Sequence, residues 1–253
     1  MDLIFVHDIH HPQYSRTLKQ ELEKVSKIEF QFIEGKFGNP GAARNAGKMN
    51  AKGRWITFWD SDDVIYVNEI LKLVNEAEVY GATIAVAPFN LVNKKGISKT
   101  IPIKSIKSKA YSQYPGIWRF LFRTSILLDK NFPPLRMAED QLFLLRCDVY
   151  SHTLMIGSHP TYNYFVGDPK QATQELTGLP DLVAARDLLV QSLPLYEGEN
   201  GKFAIRLLLR QNLTLFKHRK KLSNPNSFLR ISHLLITHPY ICMQEIFEMM
   251  VRN

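Results

Sequence analysis

Three carboxylates, Asp60, Asp62 and Asp63, close the run "WITFWDSDD" at residues 55–63. An apolar stretch that ends in D-x-D-D gathers hard oxygen donors at one strand tip. Such donors suit Mg²⁺ or Mn²⁺, ions that keep coordination positions open for substrate phosphates. A cation there would hold a diphosphate. The plain alternative is an acidic turn in which Ser61 or Asp63 caps the helix that follows. Another aspartate, Asp8, closes the strand-like "LIFVHD". His7, His10 and His11 stand beside it and read as loop residues rather than a metal site. Cys147 and Cys242, without a CxxC pair, indicate neither a disulfide framework nor a zinc site and read as small core residues.

The elements that must position these groups alternate. Strand patterns over 2–6, 28–34, 54–59 and 83–92 are separated by helical patterns over 15–26, 41–53 and 67–81. The second of these helices is lined with small residues, Ala42, Ala43, Ala46, Gly47 and Ala51, so it can lie close to a sheet or a ligand. The alternation predicts an α/β fold, a Rossmann-like and mostly parallel central sheet flanked by helices. Ligands of such sheets sit outside the carboxyl ends of the strands, where both Asp8 and Asp60 to Asp63 fall. Beyond the basic stretch 93–109, Pro133 and Pro134 mark a loop and Ala138 opens a helix. One or two strands follow over 153–166. From about 180 the chain reads as helical, with turns at 197–201 and 224–227. Two regions are expected: a catalytic domain over 1–178 and a helical, basic C-terminal region over 179–253.

The stretch "GNPGAARNAGKMNAKGRWITFWDSDD" resembles the corresponding segment of the inverting family 2 glycosyltransferases of GT-A fold: a glycine, an Ala-Arg-Asn-x-Gly helix start, Ala-x-Gly, an apolar strand, then Asp-x-Asp-Asp. Gly41, Ala43, Arg44, Asn45, Gly47, Ala51, Gly53, Phe58, Asp60, Asp62 and Asp63 fall in register. "WRFLFRTSIL" with "NFPPLRMAEDQLFLLR" is similar to that family's acceptor-side segment, and "PTYNYFVGDPKQAT" to the strand and loop after it. The resemblance spans about residues 2–175. It implies an enzyme that moves a sugar from a nucleotide-sugar donor, a UDP-sugar first of all, to a saccharide or lipid-linked saccharide in bacterial surface polysaccharide synthesis. Mn²⁺ or Mg²⁺ is the implied cofactor. Asp62, with Asp60, would hold the metal, Asp60 lying nearer the ribose, and Asp63 would brace the loop. Asp8 would contact the base and Arg44 the nucleotide. Asp140 would be the catalytic base and Glu139 its neighbour. The chain departs from the family pattern in having room for a single strand–helix unit before "GAARN". A non-catalytic binding protein of this fold is the other reading. A sugar-phosphate nucleotidyltransferase would carry a Gly-rich loop after the first strand, and "HDIHHPQ" is not one.

Charge sets the remaining expectations. The 253 residues carry a net +8, and from residue 201 onward nine Lys and Arg face two Glu. In a helix over 202–221, Lys202, Arg206, Arg210, Lys217 and Lys221 would share one stripe. Such a face suits peripheral contact with an anionic membrane, or is simply solvated. The stretch 93–109, with six Lys and no acid, suits an anionic partner too. No aromatic-interleaved basic platform speaks for nucleic acid. No run approaches the ~18 apolar residues of a membrane span, and the start lacks signal-peptide features. A cytoplasmic protein is expected, with a peripheral place on the inner membrane face as the alternative the basic stripe allows.

Overall fold

β-branched and aromatic residues build the first pair of strands, β1 (Leu3–Asp8) and β2 (Phe30–Gly35). They run parallel, Leu3 opposite Phe30 through Asp8 opposite Gly35, and α1 (Pro12–Val25) makes the crossover. The computed structural model describes residues 1–9, 12–25, 30–107, 111–167, 176–222 and 226–251. His10, His11, Lys109 and the loop 168–175 lie outside these residues, as does part of the turn expected at 224–227.

α2 (Pro40–Asn50) follows, with Asn39 capping its N-terminus by accepting from the Ala42 N–H at 2.8 Å and Pro40 in the first turn. The sheet β3-β8-β5-β9 comprises β3 (Trp55–Ile56), β5 (Ile84–Val86), β8 (Phe120–Arg123) and β9 (Leu154–Ile156). The sheet β4-β10-β6-β7 comprises β4 (Val64–Ile65), β6 (Phe89–Val92), β7 (Ser98–Ile101) and β10 (Tyr162–Phe165). α3 (Val67–Tyr80) joins the two and ends at left-handed Gly81. Parallel pairing holds for β1 with β2, β5 with β9 and β6 with β10, whereas β8 lies antiparallel between β3 and β5. The α/β class holds, with mixed pairing rather than a mostly parallel sheet.

Three local features differ from the sequence reading. The run 83–92 divides into β5 and β6 at Ala87–Pro88, because proline has no N–H to continue a ladder. The apolar run 54–59 pairs only at Trp55 and Ile56. The basic stretch contains an unexpected strand, β7. It pairs with β6 through a turn in which Asn93 Oδ1 accepts from the Lys95 and Ile97 N–H groups and Gly96 takes φ 74°.

The remaining helices are α4 (Glu139–Arg146), α5 (Leu179–Ser192), α6 (Gly198–Lys217), α7 (Arg219–Leu222), α8 (Asn226–Thr237) and α9 (Pro239–Val251). One hydrophobic cluster runs from Ile84, Phe122 and Phe143 to Leu207, Leu215, Leu234 and Cys242. The helices after 178 thus share their core with the strands that carry the acidic loop. Here the basic stripe on α6 needs correcting. Arg206 is 3% exposed and donates to Glu245 at 2.9 Å, and Arg210 donates to the other oxygen of the same carboxylate. The helical period is right, but the middle of the stripe, Arg206 and Arg210, turns toward α9, while Lys202 and Lys217 stay exposed and the Lys221 side chain lies outside the described residues.

Candidate active site

Small side chains bring α2 against the loop before α4. A Cβ on Gly41 would lie 2.2 Å from the Pro133 carbonyl oxygen, so only glycine permits this approach. Four residues on, Asn45 donates to the Phe132 carbonyl and accepts from the Phe132 N–H, each at 2.9 Å. Between these two anchors stands Arg44. Its Nη2 meets Asp60 Oδ1 and its Nη1 meets Glu139 Oε1, both at 2.6 Å. The strand-end acids and the helix-start acids, 79 residues apart in sequence (139 − 60), are thereby joined by one guanidinium. Burial works against the Arg44 charge, yet the surrounding Asp60, Glu139 and Asp140 outweigh it and hold its pKa above the ordinary arginine value.

Glu139 and Asp140 open α4 directly after Ala138, which adopts φ 64°. That left-handed conformation is unfavourable for a residue with a Cβ, and it turns the chain sharply into the helix. Glu139 is buried and Asp140 partly so. Asp140 Oδ1 accepts from the Gln141 N–H at 2.8 Å. Burial first, then the neighbouring Glu139, push the Asp140 carboxyl up to about 8 against the opposing pull of Arg44.

In the acidic loop, the Asp60 N–H donates to Tyr162 Oη at 3.1 Å, and Asp63 accepts from the Phe165 N–H at 2.8 Å. Asp63 thus fastens the loop to β10. Burial raises its carboxyl to about 6, with the Phe165 and Tyr162 hydrogen bonds opposing and Asp62 and Asp60 adding to the rise. Asp62 is exposed and makes no hydrogen bond or ion pair among the described residues. Asp8 accepts from the Phe37 and Gly38 N–H groups at 3.3 and 2.6 Å, a brace for the turn that enters α2.

Tyr162 and Tyr164, two residues apart on β10, both stack on Trp118, at 4.6 and 5.1 Å between centroids. Burial first, then Asp63, Asp60, Asp140 and Asp62, raise Tyr164 to about 12, so its ring borders the acids. Neither tyrosine was singled out in the sequence. The alternation of "YNYF" after Pro160 is the signal that places them on one face.

Arg44 thus draws Asp60 and Glu139 together, with Asp140 close enough to act on its charge, and Asp62 and Asp63 follow Asp60 in the same loop. The group fits a hard divalent ion: Asp62 offers a free carboxylate, and Asp60 keeps one oxygen outside its contact with Arg44. No set of three or more His, Cys, Asp or Glu arranged for a metal occurs among the described residues. An ion there would draw the rest of its coordination from ligand phosphates and water, as Mg²⁺ usually does.

Mixed α/β sheets flanked by helices, with α2 set against the acidic loop, form the GT-A fold. The chain belongs to glycosyl transferase family 2, whose model matches residues 2–154. It is 28% identical over 158 residues to the poly(ribitol-phosphate) beta-glucosyltransferase of Bacillus spizizenii, covering 58% of this chain and 24% of that protein. It is 23% identical over 229 residues to the poly(ribitol-phosphate) beta-N-acetylglucosaminyltransferase TarP of Staphylococcus aureus, covering 82% and 69%. A shorter match, 42% identical over 59 residues, covers 23% of this chain and 17% of the succinoglycan biosynthesis protein ExoO of Rhizobium meliloti. The chain spans less than a third of the length of ExoO, of the Bacillus enzyme and of S. aureus TarS, a poly(ribitol-phosphate) beta-N-acetylglucosaminyltransferase. Among solved structures, residues 1–349 of S. aureus TarS with UDP-GlcNAc superpose with a TM-score of 0.69 at 16% identity, over 92% of this chain and 70% of that one. Among the described residues no helix is long and apolar enough to cross a membrane.

Proposed function

We propose that this chain is a metal-dependent, inverting glycosyltransferase that moves a sugar from a nucleoside-diphosphate sugar of the UDP type to a saccharide or lipid-linked saccharide, in the synthesis of a bacterial surface polysaccharide. One observation carries the proposal: the half-buried Arg44 binds Asp60 and Glu139 at once, and so joins the loop that carries the exposed Asp62 to the helix start that carries Asp140. The named activities of the relatives support the reaction class and the polymer setting, and the UDP-GlcNAc complex of TarS supports the donor class.

Asp62 and Asp60 would hold Mn²⁺ or Mg²⁺, which when bound supplies positive charge for a departing nucleoside diphosphate. Arg44 pairs with Asp60 and Glu139 and fixes their orientation. Asp8 acts from the β1 end by holding the turn at Phe37 and Gly38, next to where the donor's base would lie. Asp140 takes the proton of the acceptor hydroxyl. Its Oδ1 already accepts from Gln141, so Oδ2 is the oxygen left for that proton. Attack opposite the leaving group inverts the anomeric carbon. In this proposal, peripheral contact with an anionic membrane falls to exposed Lys217, Arg219 and Lys220 at the end of the α6 region, since Arg206 and Arg210 are taken by Glu245.

Asp62→Asn tests the metal role. The amide loses the charge a divalent cation needs, so Mn²⁺-dependent UDP-sugar binding should vanish by calorimetry while the melting temperature of the free protein stays unchanged. Undiminished Mn²⁺-dependent affinity in this variant would refute the assignment.

A further inference from the structure

The geometry points to an acceptor that is itself negatively charged: we propose that the β6–β7 hairpin is a cationic dock for a phosphodiester-bearing glycan or polyol chain whose end reaches the acidic loop. The proposal rests on the transferase reading above and specifies its acceptor.

Strand polarity supplies the placement. β6 and β10 are parallel, and β4 runs antiparallel to β10. The loop Asp60 to Asp63, which enters β4, therefore lies at the same end of the sheet as the Asn93–Ile97 turn, which leaves β6. Two strand spacings separate β4 from β6, about 10 Å. That turn carries Lys94 and Lys95. Lys94 lays its methylenes beside Gly167, where a Cβ would come within 3.4 Å of Lys94 Cε. Gly167 is two residues beyond Phe165, whose N–H holds Asp63. Past the turn, Lys99 stands on β7 opposite Leu91, which itself stands opposite Tyr164. Directly opposed residues share a face of a sheet, so Lys99 is on the face that carries Tyr164 toward the acids. Lys104 and Lys107 follow.

All five lysines are exposed, and none forms an ion pair among the described residues. The hairpin carries no acid of its own, because no Asp or Glu occurs between Glu78 and Asp129. The acids of the site and the cations of the hairpin thus stand side by side without pairing. A neutral saccharide would gain nothing from such a row. A chain with regularly spaced negative charges can place its terminal hydroxyl at Asp140 while its preceding phosphates lie along Lys94, Lys95 and Lys99, about two to three strand spacings from the acidic loop. Among the described residues β7 is also the edge of its sheet, the position at which an extended ligand can align.

Two measurements on the full chain test this. In the first, anisotropy of a labelled, soluble phosphodiester-linked polyol oligomer reports binding without any transfer, so its result stands even if no UDP-sugar is turned over. Wild-type protein should bind the oligomer, more weakly as salt is raised, and a neutral oligosaccharide of equal length much less. K94Q/K95Q should weaken oligomer binding about tenfold, the contribution expected of two exposed charge contacts, while K94R/K95R retains it. In the second, steady-state transfer by K94Q/K95Q should show the loss in KM for the charged acceptor, with kcat and the KM for UDP-sugar as in wild type. Equal binding by wild type and K94Q/K95Q, or equal binding of charged and neutral oligomers, overturns the proposal. A loss that falls on UDP-sugar would assign the lysines to the donor diphosphate. Binding seen with anionic phospholipid vesicles but not with the oligomer would make the hairpin a membrane contact.

Discussion

Asp140 is held protonated to about pH 8 by burial and by Glu139 in the free protein, which gives the base a measurable signature. In wild type, kcat/KM should rise through the pH range below 8 as the carboxyl ionises, because a general base works only in its deprotonated form. Asp140→Asn should lower kcat by about 10² or more and flatten that rise, with donor affinity nearly unchanged. A variant that keeps wild-type kcat would move the role to Glu139. The identities of these residues were legible in the sequence as an acidic pair at a helix start and a D-x-D-D strand end. Their connection was not. Arg44 lies on a third segment, and nothing in its neighbours announces that it joins Asp60 to Glu139. Tyr164 was missed for the same reason, since its meaning comes from Trp118, a residue 46 positions earlier (164 − 118).

At the scale of elements, local pattern named the helices well and misjudged what they face. α6 shows why: the spacing of Arg206 and Arg210 correctly put both on one stripe, but Glu245, from α9, decides that these two turn inward. A carboxylate 35 residues away cannot be read from helical period. This cluster yields a prediction. Glu245 is fully buried and also accepts from Ser112 Oγ at 3.0 and 3.1 Å. Glu245→Ala would leave two guanidiniums without their counter-ion, at a cost of about 3–5 kcal/mol. Chemical denaturation should report that loss. A loss below about 1 kcal/mol would mean that water or Gln244 takes the carboxylate's place. β7 escaped notice because Lys99 and its polar neighbours masked the alternation of "ISKTI", although Asn93 and Gly96 supplied the turn.

For the whole molecule, the acids crowded around Arg44 make function and stability oppose each other. An Asp140 pKa raised from the ordinary 3.8 to about 8 means that the folded protein keeps a proton that the unfolded chain has already released. By linkage, stability therefore falls as pH rises between about 4 and 8. The melting temperature of metal-free, donor-free protein should drop across that window, and Asp140→Asn should drop less. An identical slope in both would show that Asp140 ionises normally. The α/β class, the early alternation of strands and helices and both acidic motifs were readable from period and turn residues, whereas the short strands β4, β7 and β8 were not. The shared core of strands and C-terminal helices was not, because Phe143, Leu207 and Leu234 meet only in three dimensions.

Arg44 also limits how this protein could be rebuilt. Its two nitrogens are committed to carboxylates from different segments, and its position depends on Gly41 and Asn45 against Phe132 and Pro133. An engineer transplanting a new donor loop at residues 60–63 from another glycosyltransferase would sever one arm of that clamp and leave Glu139 bearing the strain. The smallest exchangeable cassette is discontinuous: the start of α2, the acidic loop and the chain from Phe132 to Asp140 travel together or not at all.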